Sequence, residues 1–324
     1  MRNFAIIFST LHVENGDTED YNSGKNPNRG GSNQHIINKF TRMILFPNAK
    51  INIGLNILRR RADGYHDIAT VMYPIPWTDI LEIVPAKGPD TSLTVTGRGV
   101  ACSPDKNLVM KAYRALDDFT PLPPVDIYLH KIIPDGAGLG GGSADAAFTL
   151  SGLNSMFALG LSEAKLEEIA ATIGADCPFF ISNTPRLCTE TGTTMSGCPL
   201  SLAGMTVAVV KPKVSVPTAA AYAGVTPKES TPPLEELLES FQPAEWEGRI
   251  VNDFEASVFA SYPVVREIKD ALRRRGAIYT SMSGSGSAVY ALFDDTYILT
   301  KGDKLAESLE EEFGDCDVFV GRLN

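Results

Sequence analysis

The sequence predicts an α+β chain of two packed domains, and three observations carry that reading. Strand-like and helix-like stretches follow one another without strict exchange, which argues against a doubly wound parallel sheet. With 324 residues, 44% hydrophobic and 21% charged, the chain is long enough for two domains with a sizeable core. The composition restarts near residue 201 with a fresh apolar strand. We therefore divide the chain into an N-terminal extension at 1–42, a first domain at 43–200 and a second at 201–324.

Residues 9–35 are polar, with few apolar anchors, and predict no packed structure. Apolar alternation begins at Met43, which we read as the effective start, with 1–42 dispensable. The run MILFPNAKINIGLNIL reads as strand with a break at Pro47, and Asp63-Gly64 marks a turn after it. TVMYPI, DILEIV and SLTVTG are further strands. Leu108, Val109, Ala112, Tyr113 and Leu116 fall on one helical face. Val125, Ile127 and Leu129 alternate in a strand, and SADAAFTLSGLNSMFAL follows as a helix. Ser162 N-caps the next helix, Leu161 and Leu166 sit at hydrophobic-staple positions, and Gly174 fits C′. MTVAVVKP is a strand, and residues 226–249 are a Pro- and Glu-rich region of helix and loop. YPVVREIKDALRRRG is a helix started by Pro263 and ended by Gly276. TSMSGSGSAVYALF runs from loop to strand, and KLAESLEEEF and DVFVG close the chain as helix and strand. The arginine triplets at 59–61 and 273–275 read as solvated.

Bulk properties narrow the function classes. A net charge of −10 speaks against a nucleic-acid or membrane surface, so an anionic ligand must be held locally. The five cysteines are odd in number and form no C-x-x-C, which fits the cytoplasm and no metal or disulfide framework. The apolar run in MRNFAIIF is too short for a signal peptide, and no stretch reaches membrane-spanning length. The expected partner is a small molecule, with no protein partner implied.

Residues 134–147 read PDGAGLGGGSADAA, with five glycines in the first nine positions. Gly136, Gly138 and Gly141 satisfy the dinucleotide pattern G-x-G-x-x-G, but the next element is a second helix where that fingerprint needs a strand. No Gly-Lys-Ser/Thr ends the stretch, which excludes a Walker A loop. What remains is a glycine-rich turn into a helix N-terminus, a donor-rich cradle for phosphate. Ser143 can cap that helix or turn its hydroxyl to a phosphate or a metal. The bland alternative is a tight strand–helix connection, and glycine density favours phosphate over it.

Lys50 lies inside an apolar strand segment and either snorkels at a sheet edge or is held for a purpose. Asp176, in IGADCPFF, is an acid in apolar company that either caps a turn or meets a partner. Together they form a lysine–aspartate couple suited to taking a proton from a hydroxyl. Tyr65 and His66 follow a turn and could be surface residues. Ser283-Gly284-Ser285-Gly286 repeats the phosphate-loop chemistry or is a flexible turn. The four histidines show no metal-ligand spacing.

PNAKINIGL, RADGYH, PDGAGLGGGSADAA, GADCPFF and SGSGSAVYALF, in this order, resemble the GHMP kinase superfamily over residues 43–293. The first two segments are similar to members acting on a cytidine-diphosphate-linked methylerythritol in non-mevalonate isoprenoid synthesis. A cytidine-binding segment is not expected in galactose, mevalonate or homoserine kinases.

The resemblance implies ATP-dependent phosphorylation of that substrate's 2-hydroxyl, with Asp176 as base and Lys50 orienting it. It implies ATP contacts from Pro134, Asp135, Gly136, Ala137, Gly138, Leu139, Gly140, Gly141, Gly142, Ser143 and Ala144, with Lys131 toward the adenine. It gives Asn52, Tyr65, His66, Tyr222, Ser283, Gly284, Ser285 and Gly286 to the substrate, the cytosine lying between aromatic rings. Mg2+ accompanies ATP, with Ser143 its one candidate ligand. The implied fold has an N-terminal α/β domain carrying the glycine loop, a ferredoxin-like C-terminal domain, and the site in the cleft between. Two departures stand out: Ala137 replaces a common glycine, and Gly192-Thr193-Thr194-Met195 replaces a G-x-G-E. Another small-alcohol GHMP kinase and a non-catalytic nucleotide-binding module remain open alternatives.

Overall fold

The computed structural model describes residues 42–100, 102–294 and 304–324, so the expectation for the N-terminal extension lies outside the described residues except at Arg42. The chain opens with β1 (Met43–Leu45) and β2 (Asn48–Arg60), separated at Pro47, which has no N–H for a ladder. Residues 61–65 turn, with Gly64 left-handed, into β3 (His66–Thr78). Next come β4 (Ile80–Pro85), β5 (Ser92–Gly97), α1 (Leu108–Phe119) and β6 (Val125–Lys131). The glycine stretch leads from β6 into α2 (Gly141–Met156). α3 (Glu163–Ala171), α4 (Phe179–Ser182), β7 (Arg186–Thr189) and β8 (Thr194–Gly197) follow. The rest of the chain comprises β9 (Thr206–Lys211), α5 (Thr218–Ala223), α6 (Leu234–Ser240), α7 (Glu255–Ser261) and α8 (Pro263–Arg274). β10 (Tyr279–Met282), β11 (Val289–Phe293), α9 (Leu305–Glu312) and β12 (Asp317–Arg322) complete it.

Among the described residues the strands form three four-stranded sheets, ordered β1-β4-β6-β5, β2-β3-β7-β8 and β10-β11-β9-β12. The last is antiparallel at each pairing, and helices separate β9 from β10 and β11 from β12. That is the split β-α-β-β-α-β arrangement of a ferredoxin-like domain. The absence of a strand between α2 and α3 removes the βαβ unit that a dinucleotide fold needs.

The long β2–β3 hairpin is the hinge of the packing. One face of it, with Ile51, Ile53, Val71 and Tyr73, shares a buried core with Val207, Val209, Tyr290 and Leu292 of the C-terminal sheet. The sheet containing β6 packs its own core against α1, α2 and α3, and the far face of the C-terminal sheet is covered by α7, α8 and α9. Side chains alternate along a strand, so Lys50 and Asn52 leave β2 on the face opposite Ile51 and Ile53. That face looks into the cleft.

Two local expectations need correction. Gly174 does not terminate α3: the helix ends at Ala171, where the Thr172 hydroxyl donates to the Ile169 carbonyl, and Gly174 is not left-handed. Its carbonyl instead accepts the N–H of Cys177 in the turn carrying Asp176. Nor are the arginine triplets simply solvated, since Arg59 and Arg61 pair with Asp67, and Arg275 with Glu312.

Candidate active site

A cleft of about 530 Å³ lies between β2, β3, the glycine stretch, the Asp176 turn and the 284–286 loop. Lys50 enters it from β2 with its side chain only 4% exposed. An ammonium has three donors, and three oxygens surround this one: Asn52 Oδ1 at 2.6 Å, the Gly138 carbonyl at 3.0 Å and Asp176 Oδ2 at 3.5 Å. Asp176 is one-third exposed, so the carboxylate keeps access to the cleft while the lysine does not. The snorkelling alternative for Lys50 is thereby removed. Asn52 is itself fixed, its amide donating to Thr70 Oγ1 at 3.1 Å.

Residues 134–143 all line the cleft. Two glycines are required by close approach. A Cβ on Gly138 (φ +75°) would lie 2.1 Å from the Ser283 carbonyl oxygen, and one on Gly140 (φ +72°) would lie 2.8 Å from the Phe180 ring. Gly140 is the N-cap of α2 and offers no side-chain acceptor, so the helix begins with its first-turn N–H groups uncapped. Ser143 therefore does not cap the helix and lines the cleft; burial pushes the thiol of Cys177 up to about 11. Ala137 is 2% exposed and packs into the shared core, so its methyl fits where a glycine is common. Ala144 does not line the cleft; it is fully buried beside Met72 and Phe179, one turn behind the loop.

The second glycine loop locks onto the first. Ser283 is buried, accepts the Asn52 N–H at 3.2 Å and donates to the Gly138 carbonyl at 2.8 Å. It is a strut between β2 and the glycine stretch, not a wall of the cleft. Gly284, Ser285 and Gly286 do line the cleft, and Asn252 holds their loop by donating to the carbonyls of Met282 and Gly284, both at 2.8 Å. The departure at 192–195 leaves Thr191 and Gly192 on the cleft wall, while Met195 packs beside α4.

The aromatic expectation is corrected in its geometry. His66 stacks directly on Tyr222, with ring centroids 4.9 Å apart and planes at 18°. A base between two rings needs two contact distances of about 3.5–4 Å each, so nothing fits between this pair as it stands. Tyr65 is 67% exposed and does not line the cleft; its backbone N–H closes the turn on Asp63. Tyr222 does line the cleft and meets Phe254 edge-on at 4.8 Å.

Lys131 is the largest correction. Its side chain is 2% exposed and does not face the cleft, and its ammonium bonds to the carboxylates of Asp79 and, at 2.8 Å, Asp145. Buried and held by these two anions, the ammonium does not reach the cleft where a nucleotide would lie. Burial pulls the Lys131 ammonium down, but the two carboxylates outweigh it and the net shift is upward. Burial pushes the Asp145 carboxyl up to about 7, against the opposing pull of Lys131.

The "GHMP kinases N terminal domain" family matches residues 107–184, and the "GHMP kinases C terminal" family matches residues 230–313. A Parabacteroides distasonis protein named 4-diphosphocytidyl-2-C-methyl-D-erythritol kinase is 48% identical over 282 residues, 87% of this chain and 100% of its own. The chain belongs to the 4-diphosphocytidyl-2-C-methyl-D-erythritol kinase family of GHMP kinases. A second such kinase, from Bacteroides fragilis strain ATCC 25285, is 50% identical over 81% of this chain and 96% of its own. Among solved structures, a 4-(cytidine 5'-diphospho)-2C-methyl-D-erythritol kinase matches with a TM-score of 0.70 and 29% identity, covering 87% of this chain and 99% of its own. The Methanococcus jannaschii mevalonate kinase shares the fold alone, with a TM-score of 0.64 at 14% identity over 88% and 99% of the two chains.

In this GHMP kinase several site residues escaped the sequence reading. Thr218 and Phe254 reach the cleft from the second half of the chain, and Thr70 and Met72 from β3. None sits in a glycine-rich or charged signature, so only the packing reveals them. Asp79 and Asp145 did carry a signal, each an acid among apolar or small neighbours, as Asp176 is. No helix among the described residues is long and apolar enough to cross a membrane.

Proposed function

We propose that this chain transfers the γ-phosphoryl group of ATP to the 2-hydroxyl of 4-diphosphocytidyl-2-C-methyl-D-erythritol, a step in non-mevalonate isoprenoid precursor synthesis. One observation carries the chemistry: the Lys50–Asp176 couple faces an uncapped helix N-terminus across one cleft. Family membership carries the substrate.

Asp176 accepts the proton of the 2-hydroxyl as that oxygen attacks the γ-phosphorus. The bond to the β-phosphate oxygen breaks and ADP leaves. Lys50, buried and bonded to Asn52 and Gly138, holds the carboxylate in line and places a positive charge beside the transferring group. Backbone N–H groups of the glycine loop and the α2 dipole hold the phosphates. Most of the rate in such a reaction comes from positioning and charge stabilisation, and these are what the loop and the couple provide.

Among the described residues no three His, Cys, Asp or Glu side chains come together to hold a metal. The cleft offers the Ser143 hydroxyl and the Asp176 carboxylate, a sparse oxygen set of the kind that suits magnesium arriving with phosphate and water ligands of its own. When bound, the ion neutralises charge on the β- and γ-phosphates. Ser143 is the residue we assign to it.

The cytidine end belongs at Tyr222, whose ring opens into the cleft and is backed by Phe254. A base reaches the outer face of Tyr222 by taking the place of the His66 ring, which then turns to hydrogen-bond it.

An ADP-release assay over a substrate panel tests the reading. We expect turnover with the cytidine-linked alcohol and none with homoserine or mevalonate. The reverse pattern overturns the assignment within the family fold, and ATP binding without turnover of any alcohol overturns catalysis itself.

A further inference from the structure

We propose that the buried Asp79–Lys131–Asp145 cluster is a positioning device for the phosphate loop, setting the aim of its N–H groups and hence nucleotide affinity. The proposal rests on the reading of residues 134–143 as the nucleotide cradle.

The cluster sits at both ends of that loop. Lys131 is the last residue of β6, the strand that enters it, and Asp145 is in the first turns of α2, the helix that leaves it. Lys131 Nζ bonds to Asp145 Oδ2 at 2.8 Å, so one ammonium ties the two ends together. Asp79, between β3 and β4, takes the same ammonium on Oδ2. Its Oδ1 accepts the N–H groups of Ile132 and Ile133 at 2.5 and 2.8 Å. Those are the two residues before Pro134, so the strand's exit is held just as the loop begins. The Asp79 N–H in turn donates to the Pro47 carbonyl at 2.8 Å, next to the start of the strand that carries Lys50. The cluster thus registers the phosphate loop against the strand of the reacting lysine.

All three side chains are at most 3% exposed, and none of them lines the cleft. Their role cannot be contact with substrate. A buried ion cluster is also a poor route to stability, because apolar residues of similar volume commonly hold a fold as well or better once desolvation is counted. What apolar residues cannot do is fix two backbone segments at defined hydrogen-bond distances. Asp145 Oδ1 has no hydrogen-bond partner among the described residues, so the arrangement is not optimised for polar satisfaction either.

The test separates aim from stability. In the triple variant Asp79→Asn, Lys131→Met, Asp145→Leu, no buried charge is left without its counter-charge. The amide oxygen introduced at position 79 can still accept from Ile132 and Ile133, and the tie between strand and helix is lost. ADP affinity is measured by calorimetry at a temperature well below the variant's thermal midpoint, alongside affinity for the cytidine-linked alcohol. We expect ADP affinity to fall at least tenfold and affinity for the alcohol to stay within threefold. Unchanged ADP affinity, or an equal loss for both ligands, overturns the proposal. Lys131→Arg alone, which keeps the cation and two-ended donation, should retain ADP affinity within threefold of the parent, and a loss as large as that of the triple variant overturns the proposal; if the triple variant does not fold, Asp145→Asn must show at least a threefold loss for the proposal to stand. A parent protein that does not bind ADP refutes the cradle reading itself, an outcome distinct from a parent that binds and variants that bind equally.

Discussion

Lys50 Nζ lies 3.5 Å from Asp176 Oδ2, and the same ammonium bonds the carbonyl of Gly138 in the middle of the phosphate loop. A single buried cation therefore touches the proposed base and the proposed nucleotide cradle at once. The position of the base relative to the γ-phosphate is set by that one side chain, because β2 is held from behind by the core it shares with the C-terminal sheet.

Removing either partner should then disable chemistry more than binding. Asp176→Asn is expected to lower kcat by about 10²–10⁴-fold, the usual contribution of a positioned base, with ADP affinity changed only slightly. Lys50→Met should lower kcat at least as far, since it removes the charge and unties Gly138. Steady-state kinetics and calorimetry on the two variants check this; a kcat within tenfold of the parent in Asp176→Asn refutes its role.

Gly138 should tolerate no side chain. A Cβ there meets the Ser283 carbonyl oxygen at 2.1 Å and the backbone is left-handed, at φ +75°. Gly138→Ala should lower stability by more than about 1 kcal/mol from backbone strain alone and should abolish ADP binding. At Gly142 the nearest atom to a Cβ is Leu108 Cδ1 at 3.7 Å, and φ is not positive. Gly142→Ala should leave the thermal midpoint unchanged. Equal midpoints for the two variants in scanning calorimetry would count against the interlock of the two glycine loops.

The aromatic end of the cleft should govern substrate affinity and not ATP. Stacking on a ring contributes about 1–3 kcal/mol per base. Tyr222→Ala is therefore expected to raise KM for the cytidine-linked alcohol by about tenfold or more, with KM for ATP unchanged. Tyr65→Ala, at an exposed position outside the cleft, should have the smaller effect. If Tyr65→Ala proves the more damaging, the exposed tyrosine closes on the base and the stacked pair does not receive it.

Stability should depend on pH through Asp145. Its carboxyl, facing Lys131 and Asp79, is pushed up by burial from 3.8 to about 7. Between those values the unfolded chain has released a proton that the folded chain keeps. Folding then takes up a proton, so stability falls as pH rises through this window and levels off above about 7. Asp145→Asn carries no such proton. The thermal midpoint of the parent minus that of the variant should decline from pH 4 to pH 7, and a flat difference would show that Asp145 is ionised throughout.

A chain that starts at Met43 should fold and turn over like the full chain. Met43 is 2% exposed and pairs with Ile83, so it is already part of the buried core. A large loss of activity on removing residues 1–42 would give that segment a role of its own.

Much of this was legible in the residues. The helical face of α1, the alternation in β6, the cap at Ser162 and the helix start at Pro263 follow from local propensity and periodicity, which act over a few residues. The glycine density at 134–142 announced close backbone approach, and the isolated charges at Lys50 and Asp176 stood out as candidates with a bland alternative each. Local rules say nothing about which isolated charge meets which. Lys50 and Lys131 look alike in sequence, each a lysine in an apolar strand. Only the packing sends one to Asp176 in the cleft and the other to Asp79 and Asp145 behind it. The stacking of His66 on Tyr222 and the strut from Ser283 to Gly138 are likewise contacts between distant segments. Burial makes a charge or a polar group seek a partner, and the sequence by itself determined that need; which partner satisfies it is a question of geometry, and the three sheets decided it.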